Sequence, residues 1–369
     1  MGCNELLKKL GINLIWSDSL GAKSFSVSIE GSGGVIVIDP GAAQMQPSYP
    51  LPKSKKRELR AKAISSIESW CWRAKALIIT HYHYDHHIIP TDPDVKSPTK
   101  MWLCRKLLIV KNPNMYINES QWFRARKFLN ELLKLVGDDL GRYLSEPEVA
   151  DFEDPVNNLS IALSKDFGDY RSRREELLMK GKSWFANLVR KLWGKGPWVT
   201  EMRLSDGSRV VWGDGKEFVF GDIYIKVLEP WFHGIEYDRT GWVTPVLIRK
   251  GNYAIFFSSD LMGPVIEDYA EWIARLKADV LILDGPPTYL FPYMFNRVNL
   301  RRAIDNVISI ISSKPKLIIY DHHLLRERRW REYVSDVFVE AKKNGVTLLT
   351  VAECLGKKPL IDTLQSKKK

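Results

Sequence analysis

The residues with the clearest potential for chemistry are the histidines. All seven fall in three stretches, at positions 81–87, 233 and 322–323. The first stretch, ALIITHYHYDHH, contains an H-x-H-x-D-H pattern formed by His81, His83, Asp85 and His86. Imidazole nitrogens and carboxylate oxygens suit Zn²⁺, with Mn or Fe also compatible. The sequence therefore predicts a metal site.

A strand and the turn after it can aim these side chains in two directions. The apolar run at 75–80 predicts a buried strand, and alternate side chains at its end point to one side. His81 and His83 can then converge on one metal ion, while Asp85 and His86 face a second. The other two histidine stretches also follow predicted strands, so chance clustering is a poor explanation.

The elements before this motif predict a layered α/β fold. SFSVSIE and VIVIDPG read as two strands joined by a glycine-rich turn, the second ending at Asp39. Apolar residues at three- and four-residue spacings predict a helix over 54–72 with a basic outer face. A strand, a helix and a strand in this order begin an α/β arrangement. Strand patterns return between 205 and 355.

The chain is long for one domain, and its middle part has a different pattern. Apolar stripes between 118 and 195 predict two helices, which we interpret as an insertion that forms a lid. The basic residues along the second stripe would also suit a membrane surface, but packing against the domain is the simpler interpretation. We expect a hydrolase domain at 1–117 and 196–355, the inserted lid at 118–195 and a basic tail at 356–369.

The order of the motifs resembles that of metallo-β-lactamase-fold hydrolases. The likeness covers roughly residues 13–120 and 205–355. An uncharacterised archaeal family of predicted hydrolases is especially similar, through the segments VIDPG, THYHYDHH, SSD, LDGPPTYL and DHHLLR. The resemblance implies a four-layer αββα sandwich, here with a helical insertion.

The resemblance also implies a ligand set for two divalent metal ions, with Zn favoured. The first ion would be held by His81, His83 and His233. The second would be held by Asp85, His86 and either His322 or His323, with Asp260 between the ions. Of the neighbouring histidines, we favour His86 over His87 and His323 over His322.

Three aspartates have further roles by this resemblance. Asp39 would be structural or support a ligand, and Asp85 would also orient a hydroxide bound by both ions. Asp284 follows a predicted strand and either caps the next turn or supports a ligand. The resulting hypothesis is a dinuclear metallohydrolase.

One motif has an alternative interpretation. LIIYDHH also resembles the DHH phosphoesterases, which bind Mn through a D-H-H after a strand. Those proteins need separate upstream aspartate motifs, whereas this chain has the H-x-H-x-D-H pattern. The metallo-β-lactamase-fold interpretation therefore accounts for more of the sequence.

The distribution of charge bears on the substrate. The formal net charge of +11 is concentrated at 53–75, with a net +6, and at 341–369, with a net +5. A further group of basic residues lies near the last motif: Arg297, Arg301, Arg302, Arg326, Arg328, Arg329 and Arg331. These clusters slightly favour a phosphodiester or nucleic-acid substrate. The alternatives are a small-molecule lactone, ester or thioester, or a metal-stabilised nucleic-acid-binding protein without activity.

The remaining composition predicts a cytoplasmic protein. Cys3, Cys71, Cys104 and Cys354 show no C-x-x-C pair or short spacing, so we expect reduced thiols. No apolar run of about 18 residues without a charge occurs, so no membrane span is expected. The sequence leaves the oligomeric state open.

Overall fold

A computed structural model of the protein describes residues 2–148 and 151–364. The strands are β1 (Ile12–Ser17), β2 (Phe25–Gly31), β3 (Gly34–Ile38), β4 (Ala74–Ile79), β5 (Leu107–Val110), β6 (Leu144–Ser145), β7 (Trp198–Val199), β8 (Met202–Arg203), β9 (Arg209–Trp212), β10 (Glu217–Phe220), β11 (Ile223–Val227), β12 (Trp231–Phe232), β13 (Trp242–Val243), β14 (Val246–Lys250), β15 (Tyr253–Phe257), β16 (Val280–Asp284), β17 (Leu317–Asp321) and β18 (Thr347–Leu349). The helices are α1 (Cys3–Leu10), α2 (Lys53–Arg73), α3 (Pro98–Trp102), α4 (Glu119–Lys134), α5 (Ser160–Ser164), α6 (Arg171–Leu188), α7 (Glu267–Leu276), α8 (Arg297–Ile311), α9 (Trp330–Tyr333), α10 (Ser335–Lys343), α11 (Val351–Cys354) and α12 (Leu360–Thr363).

Two large mixed sheets form the centre of the molecule. One has the strand order β1-β2-β3-β4-β5-β9-β8, and the other has the order β10-β11-β14-β15-β16-β17-β18. Strands β3, β4, β5 and β9 run parallel, as do β15 to β18. Parallel neighbours bring their carboxyl ends to one edge of a sheet, which matters for the site because its residues follow such strands.

The two sheets pack face to face. Ile36, Ile38 and Ile78 of the first sheet share one buried apolar cluster with Ile255 and Ile282 of the second. Alternate residues of the same strands point outward, because side chains along a strand alternate between faces. The outward residues of β3 and β4 pack on α2, and those of β16 and β17 share a buried apolar cluster with residues of α7 and α8. The predicted four-layer αββα fold class is confirmed.

The middle segment contains the two predicted helices, α4 and α6, and they pack differently. Helix α4 is built into the core, with Phe128 and Leu129 fully buried. Its Gln121 accepts a hydrogen bond from the Tyr82 N–H at 3.1 Å and donates one to Thr240 O at 2.6 Å. Helix α6 lies against β13, where Trp184 stacks on Trp242, and against Tyr237 in the segment between β12 and β13. Helix α4 therefore supports the H-x-H-x-D-H loop directly, and α6 supports the segment that carries His233.

The ends of the chain differ from the sequence-based expectation. Cys3 and Cys354 form a disulfide, with their Cα atoms 5.6 Å apart, so the expectation of four reduced thiols is wrong. Their separation of 351 residues explains why spacing did not indicate the pairing. Part of the predicted tail, helix α12, is docked by buried Ile361, whereas residues 365–369 lie outside the described residues. Among residues 2–148 and 151–364, every helix is too short or too polar to cross a lipid bilayer.

Candidate metal centre

The residues singled out in the sequence come together at one edge of the two sheets. Asp39 directly follows β3, and His81 lies two residues beyond the end of β4. Asp260 follows β15 after two serines, and His322 directly follows β17. Because these strands run parallel within each sheet, residues far apart in the sequence meet at their carboxyl ends.

The first cluster consists of His81, His83, His233 and Asp260. One ligand atom from each lies within 4.8 Å of all the others. His81 Nε2 is 3.1 Å from His83 Nδ1, and Asp260 Oδ2 is 3.4 Å from His81 Nε2 and 3.1 Å from His233 Nε2. Bonds of about 2.0–2.1 Å at a tetrahedral metal ion place ligand atoms about 3.3 Å apart. The spacing in the first cluster therefore fits one tetrahedral ion.

The second cluster consists of Asp85, His86 and His322, and it adjoins the other oxygen of Asp260. Asp260 Oδ1 is 3.0 Å from His86 Nε2 and 3.3 Å from His322 Nε2. Asp85 Oδ2 is 3.8 Å from His322 Nε2. Asp260 thus directs one carboxylate oxygen to each cluster, as the resemblance implies for a residue between two ions.

The structure distinguishes the neighbouring histidines. His87 points away from both clusters, with its Nδ1 2.9 Å from the His83 carbonyl oxygen, to which it must donate. His322 joins Asp85 and His86, whereas His323 Nε2 is 4.0 Å from Asp260 Oδ2. The geometry therefore favours His322 over His323 in the second cluster, contrary to our preference from the sequence. His323 lies within 4.8 Å of Asp260 and His322 as a further potential ligand.

Asp39 orients His86 and the end of β4. Its Oδ2 is 2.8 Å from His86 Nδ1, and its carboxylate accepts hydrogen bonds from the backbone N–H and the hydroxyl of Thr80 at 2.8 and 2.7 Å. The Nδ1–H of His86 then points to Asp39, which leaves Nε2 directed at Asp260. A Cβ at Gly41 would lie 2.2 Å from His87 N, so only glycine permits this close approach of the two loops.

Asp284 has a similar relation to His323. Its oxygens are 3.0 and 2.9 Å from His323 Nδ1, and they accept hydrogen bonds from the backbone N–H groups of His323 and Met262. Of its two expected roles, these contacts favour support of a ligand over capping of the next turn. Burial and the nearby Asp260 charge raise the pKa of Asp284 well above its usual value.

The histidines of the centre differ in their affinity for a proton. Burial, with His86 as a further cause, lowers the pKa of His81 to about 3, so its ring is neutral at pH 7. Burial alone would lower the pKa of His86, but the Asp260 and Asp39 carboxylates outweigh it and raise it to about 10. The space between His86 Nε2 and Asp260 Oδ1 therefore attracts a positive charge, which a divalent cation would also supply.

Several ligand atoms of the centre are buried without hydrogen-bond partners. Within the described part of the chain, both ring nitrogens of His233, both oxygens of Asp260 and Nε2 of His86 make no hydrogen bond. Buried polar atoms without partners are costly and rare in native proteins, which makes their concentration around one carboxylate informative. A cation between them would satisfy the two oxygens of Asp260, Nε2 of His86 and Nε2 of His233.

Three residues of the site have left-handed backbone conformations that non-glycine residues seldom adopt. They are Asp39 with φ 50°, Ser259 with φ 51° and His322 with φ 64°. Such conformations persist only where surrounding contacts enforce them, and they cluster at functional sites. Asp39 and His322 make the side-chain contacts described for this centre, and the Ser259 hydroxyl lies 3.3 Å from His81 Nδ1.

Two features of the site were not predicted from the sequence. One is the participation of Asp18, and the other is the buried position of Arg326. Asp18 Oδ1 is 2.9 Å from His322 Nδ1, and Asp18 Oδ2 accepts from Arg326 Nε. Nη2 of the Arg326 guanidinium is 3.1 Å from Asp85 Oδ2. Asp18 lies in a short turn after β1, where no motif marks it. Arg326 belongs to DHHLLR, but a sequence does not show that an arginine is buried.

The basic residues that favoured nucleic acid are largely engaged within the protein. Arg302 and Arg326 are buried, so their charges do not contribute to a basic surface. In the 53–75 segment, Arg60 pairs with Asp92 and Asp94, while Lys55 and Lys62 share Glu58. The surface charge therefore supports a nucleic-acid substrate less than the sequence indicated.

A buried ionic network connects α6 to the region of His233. Glu236, three residues after His233, accepts from Arg302 at 2.6 Å and from Arg174 of α6 at 2.9 Å. Glu267 contacts the same Arg302 guanidinium at 2.7 Å. This network holds α6, α7 and α8 around the segment that delivers His233 to the first cluster.

Comparison with known proteins adds the following similarities. No protein-family model matches the sequence. A UPF0282 protein of Methanopyrus kandleri is 29% identical over 345 residues, covering 92% of each chain. Another, from Korarchaeum cryptofilum, is 29% identical over 354 residues, covering 96% of this chain and 91% of its own. The archaeal relatives expected from the motifs are thus found.

Solved structures with a similar arrangement include metallo-β-lactamase-fold proteins. YhfI from Bacillus subtilis aligns with a TM-score of 0.42 at 9% identity, covering 92% of this chain and 95% of its own. The short form of human tRNase Z aligns with a TM-score of 0.30 at 11% identity, covering 81% and 85%.

Proposed function

We propose that this chain, which has a metallo-β-lactamase fold and resembles archaeal UPF0282 proteins along almost its whole length, is a metal-dependent hydrolase. The observation that carries the proposal is the arrangement around Asp260. Ring nitrogens of four histidines from three separate segments converge on its two oxygens at 3.0 to 3.4 Å. These atoms are buried, and several lack any other partner among the described residues.

The donor set fits divalent cations. In this proposal the first cluster holds one ion through three imidazoles and one carboxylate oxygen, a set that suits Zn²⁺. The second cluster, with Asp260 between, supplies two imidazoles and two carboxylates for another ion. A bound ion would lower the pKa of a coordinated water and polarise the group that the water attacks.

The protein's own groups would fix the geometry of the centre. Asp39 orients His86, Asp18 orients His322, and Asp284 orients His323. His81 is held through its Nδ1, which lies 3.3 Å from both the Thr80 and Ser259 hydroxyls. Such supporting contacts fix the tautomer and the direction of a ligating ring. Asp85, on the open side of the second cluster, would orient the attacking water.

The charge beside the centre favours an anionic substrate, and a phosphodiester is the class to test first. The Arg326 guanidinium lies 3.1 Å from Asp85 Oδ2, so a fixed cation lies on the side of the centre where Asp85 is. Lactones, esters and thioesters are the competing substrates.

A substrate panel with matched variants tests the proposal. We expect the protein loaded with Zn²⁺ or Mn²⁺ to cleave bis(p-nitrophenyl) phosphate and to leave a lactone and a thioester uncleaved. His83→Gln should abolish cleavage, whereas His87→Gln should retain it, because His87 faces away from both clusters. Equal activity of the two variants, or a folded protein that cleaves no compound in the panel, would refute the proposal. Cleavage of the lactone alone would keep the hydrolase and replace the substrate class.

A further inference from the structure

Arg326 lies inside the second cluster. Its side chain is 3% exposed. Its Nη2 atom is 3.1 Å from Asp85 Oδ2 and 3.4 Å from His322 Nε2, and its Nε donates to Asp18. Its Nη1 atom is 3.4 Å from the Tyr289 hydroxyl. The guanidinium is therefore held from several directions, with one N–H group between two atoms that a second metal ion would need.

The tautomer of His322 makes the overlap specific. His322 Nδ1 faces two acceptors, Asp18 Oδ1 at 2.9 Å and the Ser24 carbonyl oxygen at 3.0 Å, so it carries a hydrogen. In the neutral ring, Nε2 then has the lone pair, and that lone pair is what a metal ion would coordinate. His322 Nε2 also faces Nη2 of Arg326. A guanidinium and a second ion would compete for this lone pair and for Asp85 Oδ2.

The first cluster shows no such competitor. Within the described residues, both ring nitrogens of His233 and the Asp260 oxygen that faces this cluster, Oδ2, lack a hydrogen bond. Ring nitrogens of His81 and His83 lie 3.1 Å apart. Two nitrogen lone pairs at this distance repel each other unless a cation lies between them, and a shared metal ion would supply that cation. No arginine or lysine contact with these four side chains occurs in the described part of the chain.

We propose that the Arg326 guanidinium takes part of the place and charge of a second metal ion, so the chain binds one divalent ion tightly in the first cluster and another at least about tenfold more weakly. The inference rests on the proposed metal centre. Two effects would weaken binding of the second ion. The guanidinium and the ion are both positive and would share the same ligand atoms, so they repel each other. Two of the three ligand atoms of the second cluster, Asp85 Oδ2 and His322 Nε2, also face the guanidinium already. A tenfold difference corresponds to 1.4 kcal/mol at 25 °C.

The role is one of positioning as well as competition. Arg326 connects Asp18, which orients His322, to Asp85, and so it holds two residues of the second cluster in fixed relation. A fixed cation beside Asp85 also places positive charge where a substrate oxygen would approach. The centre would then be asymmetric, with one resident ion and one resident guanidinium.

A metal titration of the full chain tests the proposal. Metal-free protein is titrated with Co²⁺, and the visible absorption of each equivalent is followed, with Zn²⁺ content after dialysis measured by mass spectrometry. We expect the first equivalent to bind tightly with the spectrum of a tetrahedral ion, and the second to saturate at concentrations at least about tenfold higher. Equal affinity for two equivalents would overturn the proposal.

Two variants assign the effect to Arg326. Arg326→Met keeps the volume and removes the charge, so we expect the affinity for the second equivalent to rise at least about tenfold. Arg326→Lys keeps the charge and should bind the second equivalent as weakly as the unaltered protein. An Arg326→Met protein that folds and still binds the second ion weakly would overturn the proposal. If it does not fold, the titration of the unaltered protein and of Arg326→Lys still decides.

Failure of this inference is distinct from failure of the proposed function. A folded protein that binds no Co²⁺ or Zn²⁺ would refute the metal centre itself. Two equivalents bound with equal affinity, together with cleavage of the phosphodiester, would keep the hydrolase and refute only the role of Arg326.

Discussion

The two clusters share Asp260 but differ in the surroundings of their ligand atoms. In the first cluster, the His233 nitrogens and Asp260 Oδ2 have no hydrogen-bond partner among the described residues. In the second, Asp85 and His322 already face Arg326. A set of ligand residues gives the atoms that a cation can use, whereas their neighbours determine how available those atoms are.

Removing the shared carboxylate should have the largest effect. Asp260→Asn replaces an oxygen anion that faces both clusters, and an amide is a far weaker ligand. We expect metal affinity and hydrolysis each to fall by more than about 100-fold, the upper end of the effect of supporting residues. Metal content after dialysis and initial rates measure this. The exposed Asp305, paired with Arg301, supplies the control Asp305→Asn. Asp260→Asn protein with full metal content would contradict the arrangement.

The supporting aspartates should separate the two clusters. Asp39 contacts His86 and, through Thr80, supports the ring of His81. Asp39→Asn should therefore lower the affinity for both metal equivalents by about 10–100-fold. Asp18 contacts only the second cluster, so Asp18→Asn should leave the affinity for the first equivalent unchanged. The Co²⁺ titration compares the two variants. Loss of the first equivalent in Asp18→Asn would show that the clusters are not separable in this way.

A change in the scaffold should alter stability and spare the metal. Burial alone would raise the pKa of Glu236, but Arg302 and Arg174 outweigh it and hold it below the usual value. Glu236→Gln should lower the free energy of unfolding at pH 7 by about 3 kcal/mol, because it removes the carboxylate that pairs with Arg174 and one of the two that pair with buried Arg302. Denaturant unfolding with and without bound metal measures this. Loss of metal from folded Glu236→Gln protein would contradict a purely scaffolding role.

The ion pairs of Glu236 with Arg302 and Arg174 also predict how stability depends on pH. Since the folded-state pKa of Glu236 is depressed, its stabilisation is present above the unfolded-state pKa and is lost as pH falls through the folded-state value. The unfolded-state value of a glutamate is about 4.3. The difference in stability between Glu236→Gln and the unaltered protein should therefore shrink below about pH 4. A difference that stays constant down to pH 3 would refute the assignment to this carboxylate.

We expect the smallest effect from removal of the Ser259 hydroxyl, which contacts His81 of the first cluster. Ser259 Oγ lies 3.3 Å from His81 Nδ1 and 2.6 Å from Thr80 Oγ1. Ser259→Ala should cost about 1 kcal/mol of stability and less than tenfold in affinity for the first equivalent, because Thr80 still contacts the ring. Differential scanning calorimetry and the titration measure both. A larger loss of metal than in Asp39→Asn would reverse the ranking of these supports.

Features carried by local pattern were predictable from the sequence. The H-x-H-x-D-H motif follows β4 as expected, and Asp39, Asp260 and the last histidine pair each follow a strand. Apolar spacing also placed α2 and the two long helices of the middle segment. These features depend on residues close in the chain, so their period and order contain the information.

Features that depend on distant packing were not predictable. The contact that orients His322 comes from Asp18, 304 residues away, and the pairing of Cys3 with Cys354 spans almost the whole chain. Arg326 looked like a surface base because its partners, Asp18 and Asp85, are also remote in the sequence. Neither charge nor spacing shows which arginine of a basic run turns inward.

The most direct test of the central claim is the position of a bound ion. We would crystallise the full chain with one equivalent of Zn²⁺ and measure anomalous diffraction at the zinc edge. We predict a single strong peak about 2.0–2.2 Å from ligand atoms of His81, His83, His233 and Asp260. A folded, zinc-treated crystal with no peak among these four side chains, or with zinc only at the surface, would contradict the metal centre.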